Sequence, residues 1–162
     1  MRFLNIFAVF SLLLTSWVSV AETAKPTLTV GQTLSLPELN DQFDKKQTLL
    51  PSTKWLVFTH DMDSSKLVKA AFENKKSDDL LAANVQYYAD ISAMPSLISR
   101  FIAIPKMKKL AYPVIMDKEG NVLNAIPKTD GHVTVLTLNN GNITQVNIVD
   151  TSKALKALIK SF

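Results

Sequence analysis

The residues best equipped for chemistry lie in one short run, His60-Asp61-Met62-Asp63-Ser64-Ser65-Lys66, and at a second histidine, His132. Imidazole and carboxylate groups suit zinc, and histidine with methionine suits copper. The loop spacing of His60 to Asp63 is not in itself a metal signature. The competing reading makes Asp63 the cap of the next helix and leaves His60, Asp61 and His132 as solvated loop residues. A histidine could also activate Ser64 or Ser65 for hydrolysis. No Gly-X-Ser-X-Gly elbow is present, however, and both serines fit the first turn of a helix. Neither Gly-X-Gly-X-X-Gly nor Gly-X-X-X-X-Gly-Lys occurs, and the chain has 4 glycines in all, so no dinucleotide, flavin or other cofactor is expected.

The chain has 162 residues and no cysteine. Disulfides and thiolate chemistry are therefore excluded, and the fold must be stable by its core alone. Met1-Arg2, the uncharged apolar stretch Phe3 to Val20, and Ser19-Val20-Ala21 have the layout of a secretory signal peptide. Residues 1–21 are read as that signal, 22–27 as a tether, and 28–162 as one domain exported across the inner membrane, to the periplasm. The competing reading is an uncleaved anchor, but the stretch is near the lower limit for spanning and is interrupted by Asn5, Ser11, Thr15 and Ser16. No stable membrane insertion is expected after cleavage. Cleavage removes Arg2 and no acid, so the net charge falls from +4 to +3. The remaining cations are scattered lysines and Arg100, without the clustered arginine-rich face of a nucleic-acid binder. Lys106, Lys108 and Lys109 form the densest group, read as a solvated loop or helix face.

Periodicity places the elements that must position these residues. Leu28-Thr29-Val30 reads as a first strand, and Asn40 to Lys46 as a hairpin turn before Thr48-Leu49-Leu50. Trp55-Leu56-Val57-Phe58, apolar on both faces, predicts a central buried strand. Leu67, Val68, Ala71 and Phe72 predict a helix capped by Asp63, and helical character resumes at residues 78–83. Val85, Tyr87, Ala89 and Ile91 alternate with Gln86, Tyr88 and Asp90 as in a second main strand. Pro95 opens a helix carrying Leu97, Ile98, Phe101 and Ile102, which Pro105 ends or kinks. Pro113 to Met116 reads as a strand. Val133 to Leu138 and Ile143 to Val149 form a hairpin around Asn140-Gly141. Asp150 or Thr151 caps a last helix with Leu155, Leu158 and Ile159 as its stripe. Trp55, Phe58, Tyr87 and Phe101 are expected in the core. A trans Tyr112-Pro113 bond is the expected form.

The order strand, helix, strand, helix, strand, hairpin, helix is that of an α/β domain. At this level "VGQTLSLPELNDQFDKKQTLLPSTKWLVFTH", "YYADIS", "YPVIMDKEGNVLNAI" and "VTVLTLNNGNITQVNIV", in this order and spacing, resemble the thioredoxin-like superfamily, in particular its peroxiredoxin-like and periplasmic thiol-disulfide branch. The resemblance extends from about Leu28 to Phe162. It implies a three-layer sandwich with a central mixed sheet flanked by helices, and a short helix after the Asp117 to Gly120 turn.

The departures bear on function. Where the family carries Cys-X-X-Cys, this chain has Asp63-Ser64-Ser65-Lys66, with Asp63 and Lys66 in place of the cysteines. Where the family has a cis-proline, this chain has a position near His132. Thiol oxidoreductase, isomerase and peroxidase activity all need a thiolate, which serine cannot replace. The resemblance also implies that the loops holding His60 to Ser65 and His132 meet. His60, Asp63 and His132 then form a candidate metal set, with Asp61 beside them and Met62 nearby. The alternative is a binding module. Redox-inactive members of this fold keep a groove beside the old active site, where Met62, Met94 and Met107 offer adaptable contacts to a periplasmic protein or peptide. An exported binding or accessory protein without enzymatic activity is the expectation, with metal binding as its competitor.

Overall fold

The computed structural model describes residues 27–159. The signal segment 1–21, the tether except Thr27, and residues 160–162 lie outside the described residues. No helix among the described residues is long and apolar enough to cross a membrane.

Seven strands form one sheet: β1 (Leu39–Asp41), β2 (Lys46–Gln47), β3 (Trp55–Thr59), β4 (Val85–Asp90), β5 (Ile115–Asp117), β6 (Val133–Asn139) and β7 (Asn142–Val149). Their spatial order is β2-β1-β5-β4-β3-β6-β7. Strands β3, β4 and β5 are parallel, whereas β6 and β7 are antiparallel, which gives the mixed sheet that the element order predicts. Val57 stands between Tyr87 on β4 and Val135 on β6, and all five residues of β3 are buried.

Each face of the sheet has its own core. On one face Trp55, Val57, Tyr87 and Val135 pack against Val68 and Phe72 of α1 (Met62–Ala71, with Phe72 at its C-cap), Leu80 of α2 (Ser77–Ala82) and Leu155 of α5 (Ser152–Leu158). On the other face Leu56, Phe58, Tyr88, Ile115 and Leu136 are covered by Leu34, Leu123 and Ile126, from segments without helix. The short helix implied after Gly120 is instead a run of bends. It is organised by the buried Asp117 carboxylate, which accepts N–H groups from Glu119, Gly120, Val122 and Leu123 at 2.8–3.1 Å.

Two strands differ from expectation. Leu28-Thr29-Val30 is not a strand: Gly31 N–H donates to Ile143 O at 2.8 Å, and Ile143 N–H donates to Gln32 O at 2.8 Å, so the segment hangs on the start of β7. In the first hairpin, Asn40, Asp41 and Lys46 are paired strand residues, and Thr48 to Leu50 form no strand. The Asn140-Gly141 turn is as read, with φ of +48° and +78° supplying the two left-handed positions that a tight hairpin needs.

The chain between β4 and β5 is a helical arm: α3 (Ser96–Ile98), a π-turn (Ser99–Ala103) and α4 (Ile104–Met107). The wide turn is closed by Ile104 N–H donating to Ser99 O. Pro105, which has no N–H, falls in the first turn of α4, so the helical path passes through it and does not end there. No residue of the three pieces is buried. Phe101 is 65% exposed, which corrects its assignment to the core. The arm's contacts with the core on this face are made by Ile104 and Met107, and Phe101 lies outside them.

One side chain fastens the arm's far end to the sheet. Gln42, fully buried, donates through Nε2 to Tyr112 O at 2.9 Å and accepts Val114 N–H at 2.8 Å. Replacing it with leucine strands two buried backbone groups. Gln42→Leu is expected to cost about 2–3 kcal/mol, read as a lower urea midpoint at unchanged slope. A shift under about 0.5 kcal/mol would show that the clasp is dispensable.

Candidate functional site

The site lies where the carboxyl ends of β3 and β4 meet the first turn of α1. Asp61, not Asp63, is the N-cap. Its backbone is extended (φ −140°, ψ 173°), and its Oδ1 accepts Ser64 N–H at 2.7 Å. Ser64 completes a reciprocal capping box, its hydroxyl accepting Asp61 N–H at 3.4 Å. The expectation for Asp63 fails because the helix starts two residues earlier than such a cap allows. Asp61 Oδ2 accepts Gly131 N–H at 2.8 Å, so one carboxylate ties the start of α1 to the loop before β6. Partial burial pushes the Asp61 carboxyl up. The Ser64 and Gly131 N–H groups, the Ser64 hydroxyl and His60 outweigh it and hold the group below the usual carboxylate value.

Asp63 and Lys66, which the sequence resemblance sets in place of two cysteines, project from the helix as an exposed ion pair (Nζ to Oδ1 2.7 Å). Such a pair contributes little to stability. Ser64 and Ser65 donate their hydroxyls to Asp61 O at 3.1 and 2.8 Å. No hydrogen bond joins either serine to a histidine, so the described residues supply no activated serine.

His60 stacks over Phe58 (centroids 6.2 Å, interplanar angle 15°). Its Nε2 lies 3.1 Å from Asp130 Oδ1 and 3.6 Å from Asp61 Oδ2. The cluster with ligand spacing among the described residues is therefore His60, Asp61 and Asp130. Asp63 is turned to Lys66, and His132 bonds through Nδ1 to the Asp130 carbonyl at 2.7 Å, so neither joins that cluster. The two loops do meet, as the resemblance implies, but the second contributes Asp130. The sequence signal for Asp130 is its position in Thr129-Asp130-Gly131, a turn that sets its side chain free of the strand.

Beside this corner opens an apolar groove of about 300 Å³ between the first turn of α1 and the helical arm. Met62, Met94 and Met107 all line it, with Ile98 and Ile102 from the arm and Tyr87 from β4. The Tyr87 hydroxyl is within 3.0 Å of Thr59 Oγ1, which in turn lies 3.3 Å from Ser65 Oγ. Burial pushes the Tyr87 hydroxyl above the ordinary tyrosine value, so it stays protonated. At the mouth, burial pushes the Asp90 carboxyl up, but the Ser92 hydroxyl and N–H and the Lys128 ammonium (3.1 Å) bring it below the usual value. Gly120, at φ +69°, packs so closely on Ser92 that a β-carbon there would collide with the Ser92 hydroxyl.

No protein-family model and no curated protein matches the sequence. Solved structures do match the fold. A candidate thiol:disulfide interchange protein DsbE from Chlorobium tepidum aligns with TM-score 0.56 at 14% identity, covering 83% of this chain and 96% of that one. The peroxidoxin BcpB from Mycobacterium tuberculosis aligns with TM-score 0.53 at 14% identity over 82% and 97%. StoA from Bacillus subtilis aligns with TM-score 0.52 at 15% identity over 76% and 95%. These likenesses concern the fold.

Removing the cap carboxylate with Asp61→Ala is expected to cost about 1–2 kcal/mol at neutral pH, whereas Asp63→Ala stays within about 0.5 kcal/mol. The folded Asp61 value lies below its ordinary 3.8. The advantage over Asp61→Ala is therefore fully present above that value and is lost as the pH falls through the lower folded value. Urea unfolding of both variants at several pH values checks this. Equal costs for Asp61→Ala and Asp63→Ala would contradict the assignment of the cap. The chain has the thioredoxin-like fold, in a version that carries no cysteine.

Proposed function

We propose that this chain is an exported binding or accessory protein of the periplasm that holds extended, apolar peptide segments in the groove beside α1. The observation that carries the reading is the groove itself: about 300 Å³, apolar, and lined by three methionines and three isoleucines. Methionine adapts to ligands of varied shape, and an apolar cleft with a few polar groups at its mouth is the ordinary form of a binding site. Export is supported by Met1-Arg2, the apolar stretch to Val20 and the small residues ending at Ala21. The absence of cysteine rules out thiol-disulfide exchange in the same cleft, so no ligand is held there as a mixed disulfide.

The test uses a fluorescein-labelled peptide with alternating Leu and Phe. Saturable binding is expected. Glu at Met62 and Met94 (Met62→Glu, Met94→Glu) is expected to weaken it at least about tenfold, since each carboxylate would be desolvated in the cleft. Met62 is exposed, so its change does not disturb the core. Binding that ignores both substitutions would place the peptide elsewhere.

The second reading is a divalent cation held by His60, Asp61 and Asp130. The spacing of that cluster favours it, as does the pairing of imidazole with carboxylate. It ranks second because the cluster supplies three protein groups at most, one of them the fully exposed Asp130, and exposed carboxylates beside a histidine are common without a metal. Titration with zinc and with copper is expected to show no saturable uptake that Asp130→Ala removes. Saturable binding lost in both Asp130→Ala and His60→Ala would promote the metal reading over the first.

A further inference from the structure

The helical arm carries a second surface, distinct from the groove. Leu97, Ile98, Phe101 and Ile102 are 69%, 41%, 65% and 48% exposed. Ile98 and Ile102 line the groove, but Leu97 and Phe101 do not. Four large apolar side chains on two of the arm's helical pieces form an exposed apolar face of the kind that marks an interaction site.

The arm segment itself carries charge of one sign. Between Asp90 and Asp117 the sequence contains no acidic residue, and Arg100, Lys106, Lys108 and Lys109 give the segment a charge of +4. The Arg100 guanidinium lies over the Phe101 ring, 5.5 Å from its centroid, so a cation and the most exposed aromatic ring among the described residues present themselves together. A recess beside the arm adds Lys66, Lys69, Lys75, Lys76 and Lys109, with Glu73 as its one acid.

We infer that this arm is a docking surface for an anionic lipid bilayer. An apolar face of Leu, Ile and Phe flanked by Lys and Arg is the composition of a helix that lies in the headgroup plane. The apolar side chains enter the acyl boundary there, and the cations meet anionic headgroups. Leu97 and Phe101 are turned outward and not into a concavity, which suits a bilayer better than a peptide. A peptide would be taken by the groove on the arm's other side. Ile104 and Met107 hold the arm's last turn against the core, whereas Leu97 and Phe101 belong to neither core, so laying their side of the arm on a membrane leaves the core contacts in place. This surface coats a bilayer from one side, and the bound protein does not insert a span.

The absence of cysteine makes the test specific. Phe101→Cys in the full chain carries an environment-sensitive fluorophore at one site, and Gln145→Cys, exposed on β7, is the control. With vesicles of phosphatidylglycerol, emission from position 101 is expected to shift blue and rise severalfold, while position 145 stays as in water. Phosphatidylcholine vesicles are expected to produce little change. Arg100→Gln with Lys108→Gln, both solvent-exposed, is expected to weaken vesicle binding about 30-fold, and raised salt to weaken it further.

Equal responses at positions 101 and 145 would overturn the inference, because vesicle binding would then run through another part of the chain. An equal response to phosphatidylcholine would overturn the electrostatic half and with it the assigned lipid class. A shift at position 101 that follows protein concentration without vesicles would assign the face to a second copy of the chain. The peptide assay on Met62 and Met94 is independent of all these results, so either reading can fail alone.

Discussion

Strand β3 has no free face. Trp55 and Val57 look into one core, Leu56 and Phe58 into the other, and all five of its residues are buried between β4 and β6. Burying a side chain of this size contributes on the order of 1.5–3 kcal/mol, so covering both faces is the condition on which the rest is arranged. With no disulfide available, that condition must be met by packing alone. Helices meet it on one face. On the other, where the chain runs in irregular segments, the Asp117 carboxylate takes over the task of a helix's own hydrogen bonds by collecting four N–H groups.

The same constraint explains where the candidate site lies. Strands β3, β4 and β5 run parallel, so their carboxyl ends emerge on one edge of the sheet, and the chain must turn there into α1 and into the arm. In open α/β sheets this edge is where ligands bind. In this chain a single carboxylate, Asp61, fixes the corner by capping α1 and holding the loop of Gly131. A redox site would put a reactive pair on the first turn of that helix. Here the turn is closed by backbone-directed bonds from Ser64 and Ser65, and Asp63 and Lys66 neutralise each other in solvent. The corner is built for rigidity, and its adjustable part is the groove next to it.

Much of this could be read from residues alone, and the failures share physical causes. The central strand, α1, the Asn140-Gly141 hairpin and the Thr151-capped last helix were legible because each has a local signal: a double-faced apolar run, helical spacing, a left-handed pair, a capping hydroxyl. The convergence of Met62, Met94 and Met107 on one groove was legible through the resemblance, not through spacing. What failed was decided at long range. Asp61 and Asp63 are equally good caps by type. The choice falls to Asp61, whose second oxygen reaches Gly131, seventy positions away. Gln42 looks like a turn residue until Tyr112 and Val114 are brought beside it. Phe101 has the spacing of a core residue, and only the folded arm shows that Ile104 and Met107 make its core contacts instead.

The arm joins these observations. Its N-terminal approach is fixed where Ser92 holds Asp90 and packs under Gly120, and its C-terminal exit is fixed by Gln42 and by Ser77 N–H donating to Ala111 O at 2.9 Å. Between those anchors no residue is buried, and a π-turn interrupts the regular ladder. A segment with firm ends and few buried contacts is the part of a fold that opens at the lowest free energy. The groove wall is made of the same residues, Ile98 and Ile102, that border the exposed face of Leu97 and Phe101. Whatever rests on the outer face therefore bears on the width of the groove, and whatever fills the groove bears on how the outer face is presented. The two surfaces thus share one wall, which the core holds only through Ile104 and Met107 at its last turn.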